Sequence, residues 1–498
     1  MRYETGAPMS PPTPHSPPPS TDAAKARPGA RSFLPVLLPR LGWVLGLLAI
    51  AALARVMARQ LFLDGDTQDL LRCADGVRAC LSEGRWSGCT KAGKWPLLQY
   101  GPALLVRLAG GSLEDAGRAL SYLSLASFFG LLAMTWRTLA VHSRPVAVAA
   151  VLVLASGLLF HYATRSFGEM VATFAAAALA AAWLRRESPW LVALLAFVTG
   201  LSKETAFPFI ALLGATCVVV HQVPGQPWRE LLRAERGRLV GSAAGVLLSG
   251  GLTAAFNLFR FGSPVNTRYL LEASWGPPLG VQLEHLAALW VAPNAGLLFY
   301  WPFLVLLLAA LPLAVARQRR SATPRPSWLP LLGVAALVGL LCIGLTRWWA
   351  PFGWWAWGSR LVLPWLPAAL LVLLEAYAPA AASLVRPLVA TPVRAVLLAV
   401  LLAVASVPHL ISIYRSNELL NALFVEPGEC PGPDLPERQA QAWRCLRAQA
   451  WSHPSPLLHA YRMAPGTDMP KRALLYPALL ALGCLWLRRS ARAPQSNL

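Results

Sequence analysis

The chain has 498 residues, of which 56% are hydrophobic and only 13% charged, about half the ~25% of an ordinary soluble domain. Mean hydropathy is +0.49, and apolar runs recur along the whole length. This excludes a soluble enzyme, a disordered chain and a disulfide-stapled miniprotein, and leaves a polytopic helical membrane protein. A transmembrane barrel is disfavoured because the apolar stretches run to about 20 residues instead of alternating over about 10. Lys and Arg outnumber Asp and Glu by 44 to 23, a formal net charge of +21. That excess would point to nucleic acid in a soluble chain, but no basic stripe sits on a soluble module. The cations suit topological anchors in inner loops, so membrane lipids are the expected surroundings and nucleic acid is not an expected partner.

Residues 1–32 read as a disordered cytoplasmic tail. Pro8, Pro11, Pro12, Pro14, Pro17, Pro18 and Pro19 exclude a helix, and the start does not have the pattern of a signal peptide. A transmembrane core over 33–412 follows, with an outer loop at 59–116. An outer-face loop region covers 413–473, and 474–498 holds a last transmembrane helix and a cytoplasmic tail. The fold class is all-α, with about twelve predicted transmembrane helices at 41–58, 117–136, 145–161, 167–184, 189–202, 205–222, 238–258, 295–315, 328–346, 361–377, 393–412 and 474–487. The pair 189–202 and 205–222 also reads as one kinked helix, which would invert everything after it.

Charge placement favours twelve. With the N-terminus inside, the inner connections carry Arg137 and Arg144, Arg185 and Arg186, Arg229 to Arg238, Arg317 to Arg325, Arg386 and Arg394, and Arg488 to Arg492. The longer outer connections hold most carboxylates. Both termini are then cytoplasmic. Cys73, Cys80, Cys89, Cys430 and Cys445 fall outside, in an oxidising compartment. Cys430 and Cys445 are the favoured disulfide pair, and one of the first three is left over. The C-x6-C-x8-C spacing fits no familiar zinc motif.

Six stretches carry candidate chemistry. Asp64, Asp66 and Asp69 lie within six residues directly after the first span. A carboxylate there can act as general base toward an acceptor hydroxyl, or the three can form a solvated acidic turn. Trp95-Pro-Leu-Leu-Gln-Tyr100-Gly-Pro102 is too short and too Pro-broken to span, and suits an outer interfacial helix. Arg165 and Glu169, then Lys203 and Glu204, stand at the membrane edge, where ionisable residues are functional candidates or simple surface pairs. Arg260 and Arg268 flank a Gly-Ser-Pro loop and either hold an anion or are solvated. Trp348, Trp349, Trp354, Trp355 and Trp357 crowd ten residues between Arg347 and Arg360. Aromatic faces beside arginine suit a sugar ring with an attached phosphate, against the alternative of an interfacial Trp belt. There is no phosphate loop, no dinucleotide fingerprint and no H-E-x-x-H, so an enzyme here must draw its activated group from the lipid phase.

Taken in order, these pieces resemble the GT-C superfamily of integral-membrane glycosyltransferases, above all bacterial members related to protein O-mannosyltransferases and to the aminoarabinose transferases of lipid A. The resemblance runs from about Asp64 to Arg360. It rests on Gly65-Asp66-Thr-Gln-Asp69, Pro96-Leu-Leu-Gln-Tyr100-Gly-Pro, Arg165 to Glu169, Gly200-Leu-Ser-Lys203-Glu204, Arg260-Phe-Gly-Ser-Pro264 and Trp354-Trp-Ala-Trp357-Gly-Ser-Arg360. It implies a GT-C-like fold in the bacterial inner membrane, a polyprenyl-phosphate sugar donor, and a glycan, lipid or protein acceptor at the outer face. It implies Asp66 as the base, although Thr67 and Asp69-Leu70 depart from the family pattern and leave Asp64 and Asp69 as rivals. Lys203, Arg360, Arg165 and Arg268 would bind the donor phosphate, and Glu169, Tyr100, Trp354, Trp355 and Trp357 the substrates. No cofactor or metal is required, since the phosphate is already a good leaving group, although one Asp can still hold a divalent cation. Two rivals are a lipid or solute transporter and a non-catalytic assembly subunit. No repeat relates the two halves as transporters often show, and an assembly subunit leaves the ordered charged loops unexplained.

Overall fold

A computed structural model of the chain describes residues 51, 65–90, 97–223, 225–321, 327–348, 350–353, 357–414, 430, 436–451, 458, 460 and 475–492. Among these residues the fold is all-α, with nineteen α-helices and no strand. In chain order they are α1 (Gly65–Ser82), α2 (Leu97–Leu108), α3 (Leu113–Leu139), α4 (Arg144–Ala155), α5 (Leu158–Tyr162), α6 (Glu169–Leu184), α7 (Pro189–Ser202), α8 (Phe207–Val220), α9 (Trp228–Phe261), α10 (Thr267–Ala273), α11 (Leu279–Val291), α12 (Leu297–Tyr300), α13 (Pro302–Ser321), α14 (Leu329–Thr346), α15 (Leu366–Ala376), α16 (Ala378–Leu388), α17 (Pro392–Tyr414), α18 (Pro436–Trp451) and α19 (Leu475–Arg492).

Among the described residues, five helices are long and apolar enough to cross a bilayer: α3, α9, α13, α14 and α17. The chain is a multi-pass membrane protein. Helices α4, α6, α7, α8 and α11 are apolar but only 10–17 residues long, short for a hydrocarbon layer about 30 Å thick. Of the twelve sequence segments, 41–58 lies outside the described residues except for Ala51, and each of the others contains a helix. The segments 189–202 and 205–222 are two helices, separated at Lys203–Ala206. The segment 361–377 differs from a straight span. It yields α15, and the chain then turns by 97° at Tyr377 into α16.

Helix α6 is the axis of the bundle. Ala175 to Ala182 are buried without interruption, as expected for a helix that is apolar all round. It packs against α3, α7 and α15. Helix α7 returns beside it and crosses α9 at very close range. A Cβ on Gly241 would stand 2.5 Å from the Pro189 carbonyl oxygen, and one on Gly245 would stand 2.3 Å from that of Ala193. Gly237, Gly241, Gly245 and Ser249 recur every fourth residue, so one ridge of α9 lacks bulk and admits the α7 backbone. Small residues drive such contacts in membranes, where lipid offers no hydrophobic force between helices.

The 16 residues of α6 span about 24 Å, so the ends of the bundle are far apart. One end carries Glu169 and Lys203. The other carries the turn Arg185–Ser188, where Arg186 has φ +52°. A charged knot closes this second end. Glu235 is buried, meets Arg238 at 2.6 Å, His221 at 3.1 Å and Arg186 at 3.5 Å, and Arg238 donates to the carbonyls of Arg186 and Glu187. Buried ionisable groups thus occur at both ends of the bundle.

Candidate active site

At the first end, the loop before α6 brings together three of the sequence candidates. Glu169 begins α6, so its carboxylate meets the positive end of that helix. Arg360 Nε lies 3.7 Å from Glu169 Oε1, with both side chains buried. The Arg360 guanidinium also covers the Phe167 ring at 4.0 Å. It can pack so closely because Gly353 has no side chain. A Cβ there would sit 2.5 Å from Arg360 Nε, and φ at Gly353 is +89°, in the left-handed region. Arg165, also buried, donates from Nη2 to the Ser412 carbonyl at 2.6 Å.

Behind these charges lies a buried polar network. Ser412 Oγ donates to the His409 carbonyl at 2.7 Å, so it accepts from His161 Nδ1 at 2.6 Å. Trp357 Nε1 donates to His409 Nδ1 at 3.0 Å. That leaves His409 Nε2 to carry the proton and donate to the Tyr300 carbonyl at 3.1 Å. Tyr162 donates to the Trp357 carbonyl at 3.0 Å. Trp357 is 4% exposed and stacks on His161 with centroids 5.5 Å apart, so it supports the Arg360 loop from within. His161, His409 and Ser412 escaped the sequence assignment of roles. The signal was there: Ser406, His409 and Ser412 recur every third residue in the otherwise apolar α17, and polar residues inside a span mark function by default.

A second cluster forms beside Lys203, which is half-buried where α7 ends. Arg260 is fully buried in the last turn of α9, between the Phe256 and Phe261 rings at 4.5 and 4.6 Å. It is neither solvated nor part of a loop. Its Nη2 donates to Asn257 Oδ1 at 2.6 Å and to Glu204 Oε1 at 3.4 Å. Its Nε and Nη1 are buried without a hydrogen-bond partner among the described residues. Asn266 Nδ2 also donates to Glu204 Oε1, at 3.3 Å. Burial raises the Glu204 pKa above the usual carboxylate value, while Asn266 and Arg260 pull it back.

Helix α1 is tied to this cluster. Cys80 and Cys89 form a disulfide, and the amides of Cys89 and Thr90 donate to the carbonyls of Phe259 and Arg260 at 3.1 and 2.9 Å. Arg107 of α2 bridges to Asp75 of α1 at 3.0 Å. Cys73, Ala74, Val77 and Cys80 form the buried face among the described side chains of α1. Asp66 precedes Cys73 by seven residues, two helical turns, and so falls in the register line of Cys73 and Cys80. Asp69 falls on the flank of that line away from Ala74 and Val77. The side chains of Asp66, Asp69, Tyr100 and Arg268 lie outside the described residues, as do Asp64, Trp354 and Trp355 altogether.

At this same end, α18 is pinned by the Cys430–Cys445 disulfide and docks through Asn294. Asn294 donates from Nδ2 to the Gln449 carbonyl at 2.8 Å and from its amide to the Ala450 carbonyl at 3.2 Å. Among the described residues no three His, Cys, Asp or Glu side chains gather as a metal site.

Fold and site together define a multi-pass helical membrane protein with buried cations and carboxylates at one end of its bundle. No family model and no curated protein matches the chain. Among solved structures, it is similar to the crystal structure of ArnT from Cupriavidus metallidurans in the apo state, at 16% sequence identity and a TM-score of 0.38, covering 90% of this chain and 78% of that one.

Proposed function

We propose that the protein is an inner-membrane glycosyltransferase that moves a sugar from a polyprenyl-phosphate donor to an acceptor hydroxyl at the outer face. The observation that carries this reading is the convergence of Arg165, Glu169 and Arg360 on one buried end of the bundle. Arginines held by ring faces, a carboxylate and carbonyls are positioned before any substrate arrives. Preorganised donors of this kind stabilise charge developing on a leaving phosphate, and loss of one costs roughly 3–4 kcal/mol in the transition state.

In the proposed reaction Asp66 takes the proton of the acceptor hydroxyl. The hydroxyl oxygen attacks the anomeric carbon with inversion, and the bond to the polyprenyl phosphate oxygen breaks. Lys203, Arg165 and Arg360 stabilise the departing phosphate, with Arg268 and Arg260 beside them. Glu169 holds Arg360 and orients the sugar, with Tyr100, Trp354 and Trp355 at the substrate side and Trp357 as their support. The acceptor is a glycan, lipid or protein hydroxyl. No cofactor enters the scheme.

The test is release of polyprenyl phosphate from radiolabelled polyprenyl-phosphate sugars by purified protein in lipid, with a membrane extract as acceptor. Wild type should release it, and Asp66→Asn and Arg360→Met should not. Label that binds equally to wild type and variants but never transfers would replace the transferase by a carrier or a scaffold.

A further inference from the structure

The arginine-rich end of the bundle carries an open cavity that the proposed sugar transfer does not use. It has a volume of about 320 Å³ and is lined by Ala316, Arg319, Arg320 and Trp328. We propose that this cavity holds the phosphate of an anionic phospholipid whose acyl chains lie along the adjoining leucines.

Three observations lead there. First, the cavity joins cations to a fixed ring. Arg319 Cζ stands 5.3 Å over the Trp328 ring. The turn carrying that ring is clamped by Tyr377, whose hydroxyl donates to the Ser327 carbonyl at 2.7 Å and accepts from the Leu331 amide at 3.2 Å. Guanidinium forks suit phosphate oxygens, and none of the described lining residues is a carboxylate. Second, Tyr377 is the corner of the 97° bend between α15 and α16. Helix α16 packs against α13, and the lining residues lie where α13, long and apolar enough to span, ends and where α14, equally so, begins. The cavity therefore lies at headgroup depth. Third, α13 exposes Leu313 and α14 exposes Leu332, at 64% and 60%. Leu313 stands one turn before Ala316 and Leu332 one turn after Trp328, each toward the middle of its helix, and a free anion would make no use of them. Basic pockets between transmembrane helices recognise lipid headgroups in this way.

The test is native mass spectrometry of the full-length protein with phosphatidylglycerol, phosphatidylcholine or glycerol phosphate as the probe. One phosphatidylglycerol should be retained in preference to phosphatidylcholine. Replacement of both arginines (Arg319→Gln with Arg320→Gln) should weaken its retention roughly thirty-fold, the equivalent of about 1 kcal/mol per arginine at a membrane surface. Arg229→Gln with Arg233→Gln removes equal charge from the exposed start of α9 and should change nothing. Equal loss in the two double variants would reduce the effect to diffuse charge and overturn the site. Equal retention of phosphatidylcholine would also overturn it, as would glycerol phosphate competing as well as intact lipid. If the double variant does not fold, exposed Arg320→Gln alone should still weaken retention about five-fold, and unchanged retention would refute the proposal. None of these readouts depends on transferase activity.

Discussion

Glu204→Gln separates the burial of a carboxyl from its ionisation. Burial raises the Glu204 pKa above its unfolded value, so ionising it costs folding free energy, and that cost grows as pH rises from the unfolded to the folded pKa. Wild type therefore loses this contribution with rising pH while Gln does not titrate. The difference in melting temperature, variant minus wild type, should move in the variant's favour between pH 4 and pH 7. A difference independent of pH would mean that Glu204 is not perturbed. Among the three aspartates, Asp66→Asn should lower turnover by 10²–10⁴, the usual contribution of a general base, while Asp64→Asn and Asp69→Asn keep most activity; Asp64→Asn inactive beside an active Asp66→Asn would reassign the base. Arg165, Glu169 and Arg360 were legible in the sequence as charges at span edges, because charge in an apolar chain stands out. Arg260 was visible as a charge, but its burial was not, since that depends on Phe256, Phe261 and the end of a helix whose length the flanking glycines concealed.

Helix α9 makes a sharper case at the scale of elements. Gly245→Leu would drive a side chain into the Ala193 carbonyl and force α7 and α9 apart, and should cost about 1–3 kcal/mol as overpacking, read as a lower melting temperature in detergent. Gly251, six residues on, has nothing within 4 Å of its would-be Cβ, so Gly251→Leu should be close to neutral. Both glycines look alike in the sequence. Hydropathy placed the helices because burial in lipid is written in composition, but it did not show the 97° turn at Tyr377. Pro379, in the first turn of α16, marks a break in the sequence, but not its angle, and the Tyr377 hydroxyl ties the corner to a turn 50 residues earlier.

Across the whole molecule, two disulfides sit at the end that carries the candidate site, while the arginine clusters lie at the other. A cysteine placed at Arg444 should label in sealed right-side-out vesicles, and one placed at Arg233 only in inverted ones; the opposite pattern would reverse the orientation expected from the charges. Reduction should lower the melting temperature, since closing the nine-residue Cys80–Cys89 separation is worth about 2–3 kcal/mol in the chain-entropy account. The docking of α1 also has a consequence for biosynthesis. Its disulfide can close on its own as soon as residue 89 reaches the oxidising side. Its seat on the Phe259 and Arg260 carbonyls, however, belongs to chain made 170 residues later. Through that interval α3 to α9 must be made and inserted, while α1 has only its α2 partner Arg107 and lacks that seat. The segment bearing Asp66 thus matures only when the ribosome has passed α9, and a truncated chain ending before that point would present the acid without its seat.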